Sequence, residues 1–321
     1  MLNEQQLLAR AAALASMLRG TPVVRLDHEH LELFVKLEYC NAVGSIKDRP
    51  ALWILKKAIE RGEVDPGTTV VESSSGNFAI ALAAYSQLLG LDCIPVIDPH
   101  ISAVNEHVLR SLCARVVKVE EEDDSGGFLK TRLDRVQSLC AALPRSYWPN
   151  QYKNPDGMMA HFHTTGREIC DAFQELDFAF VAVSSAGTIA GLSRRLKEHF
   201  RGIKIIAVDA EGSVIFGGPP RPRRIPGIGA GIVPDLLREA LIDDVVIVPE
   251  VESIAACRTL LDRHRLLVGG STGTVYAAIQ RYFSRASGLT RPKVLFLCAD
   301  RGVPYLDTVY NPAWASRYAE G

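Results

Sequence analysis

Four short stretches bring together residue types that can do chemistry. In "NAVGSIKDRPA", residues 41–51, Lys47 directly follows Gly-Ser where a helix is expected to start. A surface lysine is ordinarily a solvated charge. Held in an enclosed turn, however, its amine deprotonates more easily and can act as nucleophile or base. In "ESSSGNFAIALA" an apolar strand runs into Ser74, Ser75, Gly76 and Asn77, and then into an apolar helix beginning near Phe78. Such a turn offers backbone N–H groups and hydroxyls to a carboxylate. "SSAGTIAG", with Ser185, Ala186, Gly187 and Thr188, is a second turn of this kind and suits a phosphate. "GGSTGT", around Ser271, is a third. Singly, each turn is also what a purely structural helix cap looks like; the three together point to ligands.

Other candidates are weaker. His161 and His163 in "AHFHTTGREI" lack a third ligand at useful spacing, and Thr165 with Glu168 reads as a capping box that opens a helix. No metal site is expected. "GIGAGI" has dinucleotide-like glycines, but it follows a Pro/Arg-rich loop where that motif requires a strand. In "GGFLKTRLDRVQSLCAAL" a helical wheel gathers Phe128, Leu129, Leu133, Val136, Leu139 and Cys140 on one arc, and Arg132 falls inside it. A cation there needs a partner. That partner is either a structural carboxylate or an anionic substrate group, with Tyr152 of "NQYKNP" and Ser185 as neighbours.

These turns must be carried by elements. Short β-branched or apolar runs, "LFVKLE", "TTVVE", "DCIPVID", "RVVKVE", "FAFVAV", "KIIAVDA", "DVVIVP" and "KVLFLCA", alternate with helical periodicity. The expected class is therefore α/β with mostly parallel sheet covered by helices on both faces. In such sheets ligands gather at the carboxyl ends of strands, where the turns lie. The chain's 321 residues, 47 % hydrophobic and 23 % charged, suffice for two lobes or one large unit. A formal charge of -1 gives no reason to expect nucleic acid or an anionic membrane as partner, and "VEEEDD" reads as a solvated loop. No run approaches a membrane span, the N-terminal stretch reads as an amphipathic helix, and a cytoplasmic location is expected. Seven cysteines without a C-x-x-C pair read as reduced, mostly buried thiols. "EGSVIFGGPPRPRRIPGIGAGIVP" is the least regular segment, a long loop in which Arg223 and Arg224 read as solvated.

The order "GSIKDRPA", "ESSSGNFAIALA", "SSAGTIAG", "PGIGAG", "GGSTGT" resembles the fold type II pyridoxal-phosphate enzymes, the cysteine synthase and cystathionine β-synthase superfamily, across nearly the whole chain. The resemblance implies two open, mostly parallel sheets. It implies a mobile substrate-carboxylate domain over 40–148, a larger cofactor-binding domain of 1–39 with 149–321, and a homodimer. It also implies roles. Lys47 would form the Schiff base with pyridoxal 5'-phosphate and move the α-proton. Asn77 would bond the cofactor's ring oxygen, Ser74, Ser75 and Gly76 would hold the substrate carboxylate, Ser185, Ala186, Gly187 and Thr188 would hold the phosphate, and Ser271 would face the ring nitrogen.

Two departures stand out. The common "TSGNTG" reads "SSGNFA", so Phe78 replaces a hydroxyl near the carboxylate, and "GTGGT" reads "SSAGT". Both turn the expectation away from simple sulfide chemistry. "KLEY", "DAEGSVIFG", "VGGSTGT" and "DRGVPYLDTVY" are similar to the branch that joins O-phospho-L-serine to L-glutamate on the way to 2,3-diaminopropionate and siderophores or antibiotics. The alternatives are a cysteine synthase, a serine or threonine dehydratase, and a non-catalytic binding or regulatory relative.

Overall fold

The computed structural model describes residues 3–18, 20–123, 127–284 and 291–318. In chain order the first elements are α1 (Glu4–Ala15), β1 (Val23–Leu26), β2 (Glu32–Leu37), α2 (Asp48–Glu60), β3 (Thr69–Ser73), α3 (Asn77–Leu89) and β4 (Asp92–Ile97). Next come α4 (Ala103–Leu112), β5 (Val117–Lys118), α5 (Leu129–Ala142), β6 (Ser146–Tyr147), α6 (Pro155–His163), α7 (Thr165–Ala172) and β7 (Phe178–Ala182). The remainder is α8 (Gly187–His199), β8 (Lys204–Ala210), β9 (Asp244–Val248), α9 (Glu250–His264), α10 (Gly270–Ser284), β10 (Lys293–Cys298) and the short α11 (Pro312–Ala315).

The chain forms two compact units. The first takes Met1–Arg19 and Asn41–Ala160, the second Gly20–Cys40 and His161–Gly321. In the first, a four-stranded sheet runs β5-β4-β3-β6, parallel at every pairing. Helix α1 belongs here because Leu7 and Ala11 bury in the same cluster as Leu52, Leu55, Ala81 and Leu82 of α2 and α3. Met1, Leu2 and Arg19 of the expected N-terminal helix, and Asp124 of the acidic run, lie outside the described residues.

In the second unit a six-stranded sheet runs β1-β2-β10-β7-β8-β9, parallel except for the β1–β2 pair. All eight expected strands are present, and "RVVKVE" contracts to the two residues of β5. Strands β1 and β6 were not anticipated: one is a half-exposed "VVRL", the other only two residues long, so neither carries a strong apolar pattern. The six-stranded sheet's inner strands are buried on both faces, with Ile205, Ala207 and Leu295 covered on one. Val35, Phe180, Val208, Phe296 and Ile206 are fully covered by side chains that include those of α9 and α10, each contributing roughly 1.5–3 kcal/mol over exposure.

Strand β2 breaks its own pattern at Lys36, which is 1 % exposed. Its Nζ lies 2.6 Å from Glu168 Oε2 and donates to the Thr21 carbonyl at 2.9 Å, while Thr21 Oγ1 donates to Glu38 Oε1 at 2.6 Å. This corrects the capping-box reading. Helix α7 has Thr164 as its N-cap, without a side-chain cap, and Glu168 turns away from the helix start to answer Lys36 and the Thr21 N–H. A buried ammonium outcompetes a helix N–H for a carboxylate because it has more to lose unpaired.

Candidate active site

In the first unit Lys47 occupies the N-cap of α2, half-buried, at the end of the loop from Asn41. The residue after it holds that loop. Asp48 is completely buried, accepts from the N–H groups of Val43 (2.6 Å) and Ser45 (3.3 Å), and receives the Tyr85 hydroxyl from α3 at 3.3 Å. Burial raises the Asp48 carboxyl above its ordinary range, and the N–H donors oppose that rise. Lys47 is thus fixed in backbone by its own neighbour, with its N–H donated to Ser45 Oγ at 3.2 Å.

The carboxylate-binding turn follows β3. Gly76 is the N-cap of α3 and no side chain caps it, so the positive end of the helix dipole opens on this turn. Asn77 is the first helical residue, and Phe78 is buried in the core beneath. Ser75 departs from expectation. Its hydroxyl donates to Asp98 Oδ2 at 3.0 Å and accepts from the Asp98 N–H and from Arg132 Nη1, both at 3.1 Å. With its donor and both acceptor directions engaged, Ser75 has only its backbone left for a substrate. Ser74 is buried beside it, its Oγ 3.4 Å from the Gly76 nitrogen.

Arg132, on α5, meets the carboxylate that the sequence could not identify: its Nε lies 3.2 Å from Asp98 Oδ2. Tyr152 sits in the turn between β6 and α6. That turn is flanked by Glu72, the last-but-one residue of β3, whose fully buried Oε1 accepts from the Trp148 indole (3.3 Å) and the Ser73 N–H (2.8 Å) while its Oε2 has no hydrogen-bond partner among the described residues. Desolvation dominates and pushes Glu72 up to about 7. Neither Glu72 nor Asp98 was singled out from sequence, although each is an acid at the carboxyl end of an apolar run feeding a turn.

In the second unit the turn after β7 places Ser185, Ala186, Gly187 and Thr188 at the start of α8. Ala186 is left-handed, with φ +62°, and again no side chain caps the helix. The loop considered for a dinucleotide braces this turn: the Gly229 N–H donates to the Val183 carbonyl at 2.8 Å, and Ser184 Oγ donates to the Gly229 carbonyl at 3.1 Å. Gly229 has φ +72°, and a Cβ there would fall 2.2 Å from Arg223 Nη1. Arg223 therefore folds against the loop, contrary to the solvated reading, while Arg224 is exposed.

Ser271 is the second residue of α10, 4 % exposed. The third turn follows an isolated bridge at Val268 and not a strand. It is close-packed: a Cβ on Gly270 would strike Ile225, and one on Gly273 would strike Cys257 Sγ, each at 2.2 Å. Neither Ser185 nor Ser271 has a side-chain hydrogen bond to another described residue. An uncapped helix start with a left-handed lead-in and two buried, uncommitted hydroxyls fit a phosphorylated aromatic cofactor. Five of the seven cysteines are buried, and burial raises the Cys257 thiol to about 12.

Comparison with known proteins shows the family. The family model described as pyridoxal-phosphate dependent enzyme matches residues 14–300. The N-(2-amino-2-carboxyethyl)-L-glutamate synthase of Ralstonia nicotianae is 44 % identical over 315 residues, covering 96 % of this chain and 92 % of that protein. Among solved structures, the O-acetylserine dependent cystathionine β-synthase of Helicobacter pylori superposes with a TM-score of 0.86 at 30 % identity, over 92 % of this chain and 97 % of that one. A hydrogen sulfide-producing enzyme of Fusobacterium nucleatum does so at 0.83 and 28 %, over 91 % and 98 %. The chain belongs to the pyridoxal-phosphate dependent enzymes of fold type II.

Proposed function

We propose that the protein catalyses a β-replacement in which the amine of L-glutamate displaces phosphate from O-phospho-L-serine, giving N-(2-amino-2-carboxyethyl)-L-glutamate, a precursor of 2,3-diaminopropionate. The observation that carries this reading is the 44 % identity, along almost the whole chain, to the synthase named for that product. When bound, pyridoxal phosphate supplies a conjugated sink for the electron pair left at Cα. Lys47 would hold the cofactor through its Nζ and would carry the proton removed from Cα of the serine donor. The N–H groups at the start of α3 hold the donor carboxylate, and Asn77 orients the cofactor ring. Ser185 to Thr188 hold the cofactor phosphate. Ser271 would face the ring nitrogen with a neutral hydroxyl that need not protonate it, which would favour β-elimination over transamination. The C–O bond to phosphate breaks, the glutamate nitrogen bonds to Cβ and loses a proton to solvent, and Cα is reprotonated.

Arg132 is proposed to receive the leaving phosphate. Its Nη1 donates to Ser75 Oγ and its Nε lies within ion-pair distance of Asp98, and the guanidinium has further N–H donors for an anion. A second reading, sulfide or thiol addition, is favoured by the name of one solved neighbour, the O-acetylserine dependent cystathionine β-synthase. Mass spectrometry of products from O-phosphoserine or O-acetylserine, each paired with glutamate or sulfide, separates the two. Preferred formation of the glutamate adduct from O-phosphoserine supports the proposal; preferred formation of cysteine sinks it.

A further inference from the structure

Sequence spacing presents His161 only as a neighbour of His163. In the fold it is 1 % exposed and has a hydroxyl on each side: Nδ1 lies 3.0 Å from Thr165 Oγ1, and Nε2 lies 3.2 Å from Thr188 Oγ1. Thr165 opens α7 and is itself fully buried; Thr188 is the second residue of α8, in the turn assigned above to the cofactor phosphate. One imidazole thus joins the end of α6, the start of α7 and the start of α8.

A neutral imidazole has one N–H donor and one bare acceptor nitrogen, so the two contacts are not interchangeable. If Nδ1 carried the proton, it would donate to Thr165, and Nε2 would take the O–H of Thr188. Thr188 would then present oxygen lone pairs to an arriving anion. If Nε2 carries the proton, Thr165 donates its O–H to Nδ1, Nε2–H donates to Thr188 Oγ1, and the Thr188 O–H is left to point at phosphate. Only the second arrangement suits an anion.

We infer that Thr165, His161 and Thr188 form a one-directional hydrogen-bond relay that aims the Thr188 hydroxyl at the cofactor phosphate, with His161 as a positioning residue. The inference rests on the assignment of the α8 start as the phosphate cradle. It names a device that the turn's own sequence does not contain, since His161 lies 27 residues before Thr188.

The holoenzyme tests it. Nitrogen-15 spectra of the histidines should show His161 as the Nε2–H tautomer; an Nδ1–H tautomer overturns the relay. Phosphorus-31 spectra should show the bound cofactor's resonance displaced in His161→Gln, in Thr165→Val and in Thr188→Val. Each variant should release cofactor about tenfold faster on dialysis, the loss expected for one hydrogen bond to a charged group. A His161→Gln/Thr188→Val double variant should lose no more than the worse single change. If Thr188→Val leaves the phosphorus resonance unmoved, the cradle assignment itself fails. If Thr188→Val moves it while His161→Gln and Thr165→Val do not, the cradle stands and the relay is wrong. Should His161→Gln not fold, the near-isosteric Thr165→Val and the native nitrogen spectrum still decide.

Discussion

At the scale of single residues, what was legible was position and what was not was partnership. Asn77 and Thr188 stand where strand-to-helix turns put them, and Lys47 and Ser271 stand at helix starts reached through loops, because Gly, Ser and Asn mark such breaks in the chain itself. The acids that hold those turns were not legible: Asp98 reaches Ser75 across 23 residues and Glu72 reaches Trp148 across 76. Pairings of that span leave no trace in local spacing. Lys47→Ala should abolish turnover, and borohydride reduction of the native holoenzyme should mark the peptide containing Lys47; a mark on another lysine ends the assignment. For Arg132→Ala, KM for O-phosphoserine should rise at least tenfold while O-acetylserine use falls far less. Equal losses would leave Arg132 as a brace for Ser75 and Asp98. Glu72 predicts a pH effect. Its folded value of about 7 stands above its ordinary 4.5, so the folded chain holds this proton more tightly than the unfolded chain does. Its stabilising share is complete below about pH 4.5 and is lost as the pH climbs through about 7. Glu72→Gln removes that titration and should flatten the profile, gaining on the order of 3 kcal/mol relative to native above the upper value. Melting temperatures measured from pH 5 to 8 check it; parallel profiles would mean that the carboxyl stays charged.

At the scale of elements, apolar runs flanked by turn residues located the long strands, whereas β1 and β6 were missed because pairing, not pattern, makes them strands. The capping box at Thr165 and Glu168 failed for a related reason: a local rule was overridden by a charge brought in by another strand. Lys36 alternates with Val35 and Leu37 in β2, where any reading by period would place it on an exposed face. Breaking one side of this buried network should cost about 3–5 kcal/mol, because Glu38 and Glu168 would be left without their cation. Lys36→Met, measured by urea unfolding, is expected to show that loss, whereas a change within 1 kcal/mol would mean that solvent already screens the pair.

At the scale of the molecule, the sequence conveyed the α/β class and the parallel sheets, since helix and strand periods alternate along the chain. It conveyed less about which segments share a core. Helix α1 packs with α2 and α3, while the strand that follows it enters the other unit's sheet. Because a cofactor bound only by the folded chain stabilises it by mass action, adding pyridoxal phosphate at 100 times its Kd should add about 2.7 kcal/mol. A melting temperature indifferent to added cofactor in stripped protein would contradict the binding residues named here. The sheet order has one more consequence. The four-stranded sheet ends on β5 and β6, each two residues long and too short to template a foreign strand, whereas the six-stranded sheet ends on β1, four residues that include the charged Arg25, and on the longer β9, "DVVIV", with Ile247 exposed and Asp244 its single charge. Short edges and charges are what keep sheets from adding strands end to end. On heating or overexpression, aggregation should therefore nucleate at β9, and a lysine at position 247 would act as a gatekeeper there.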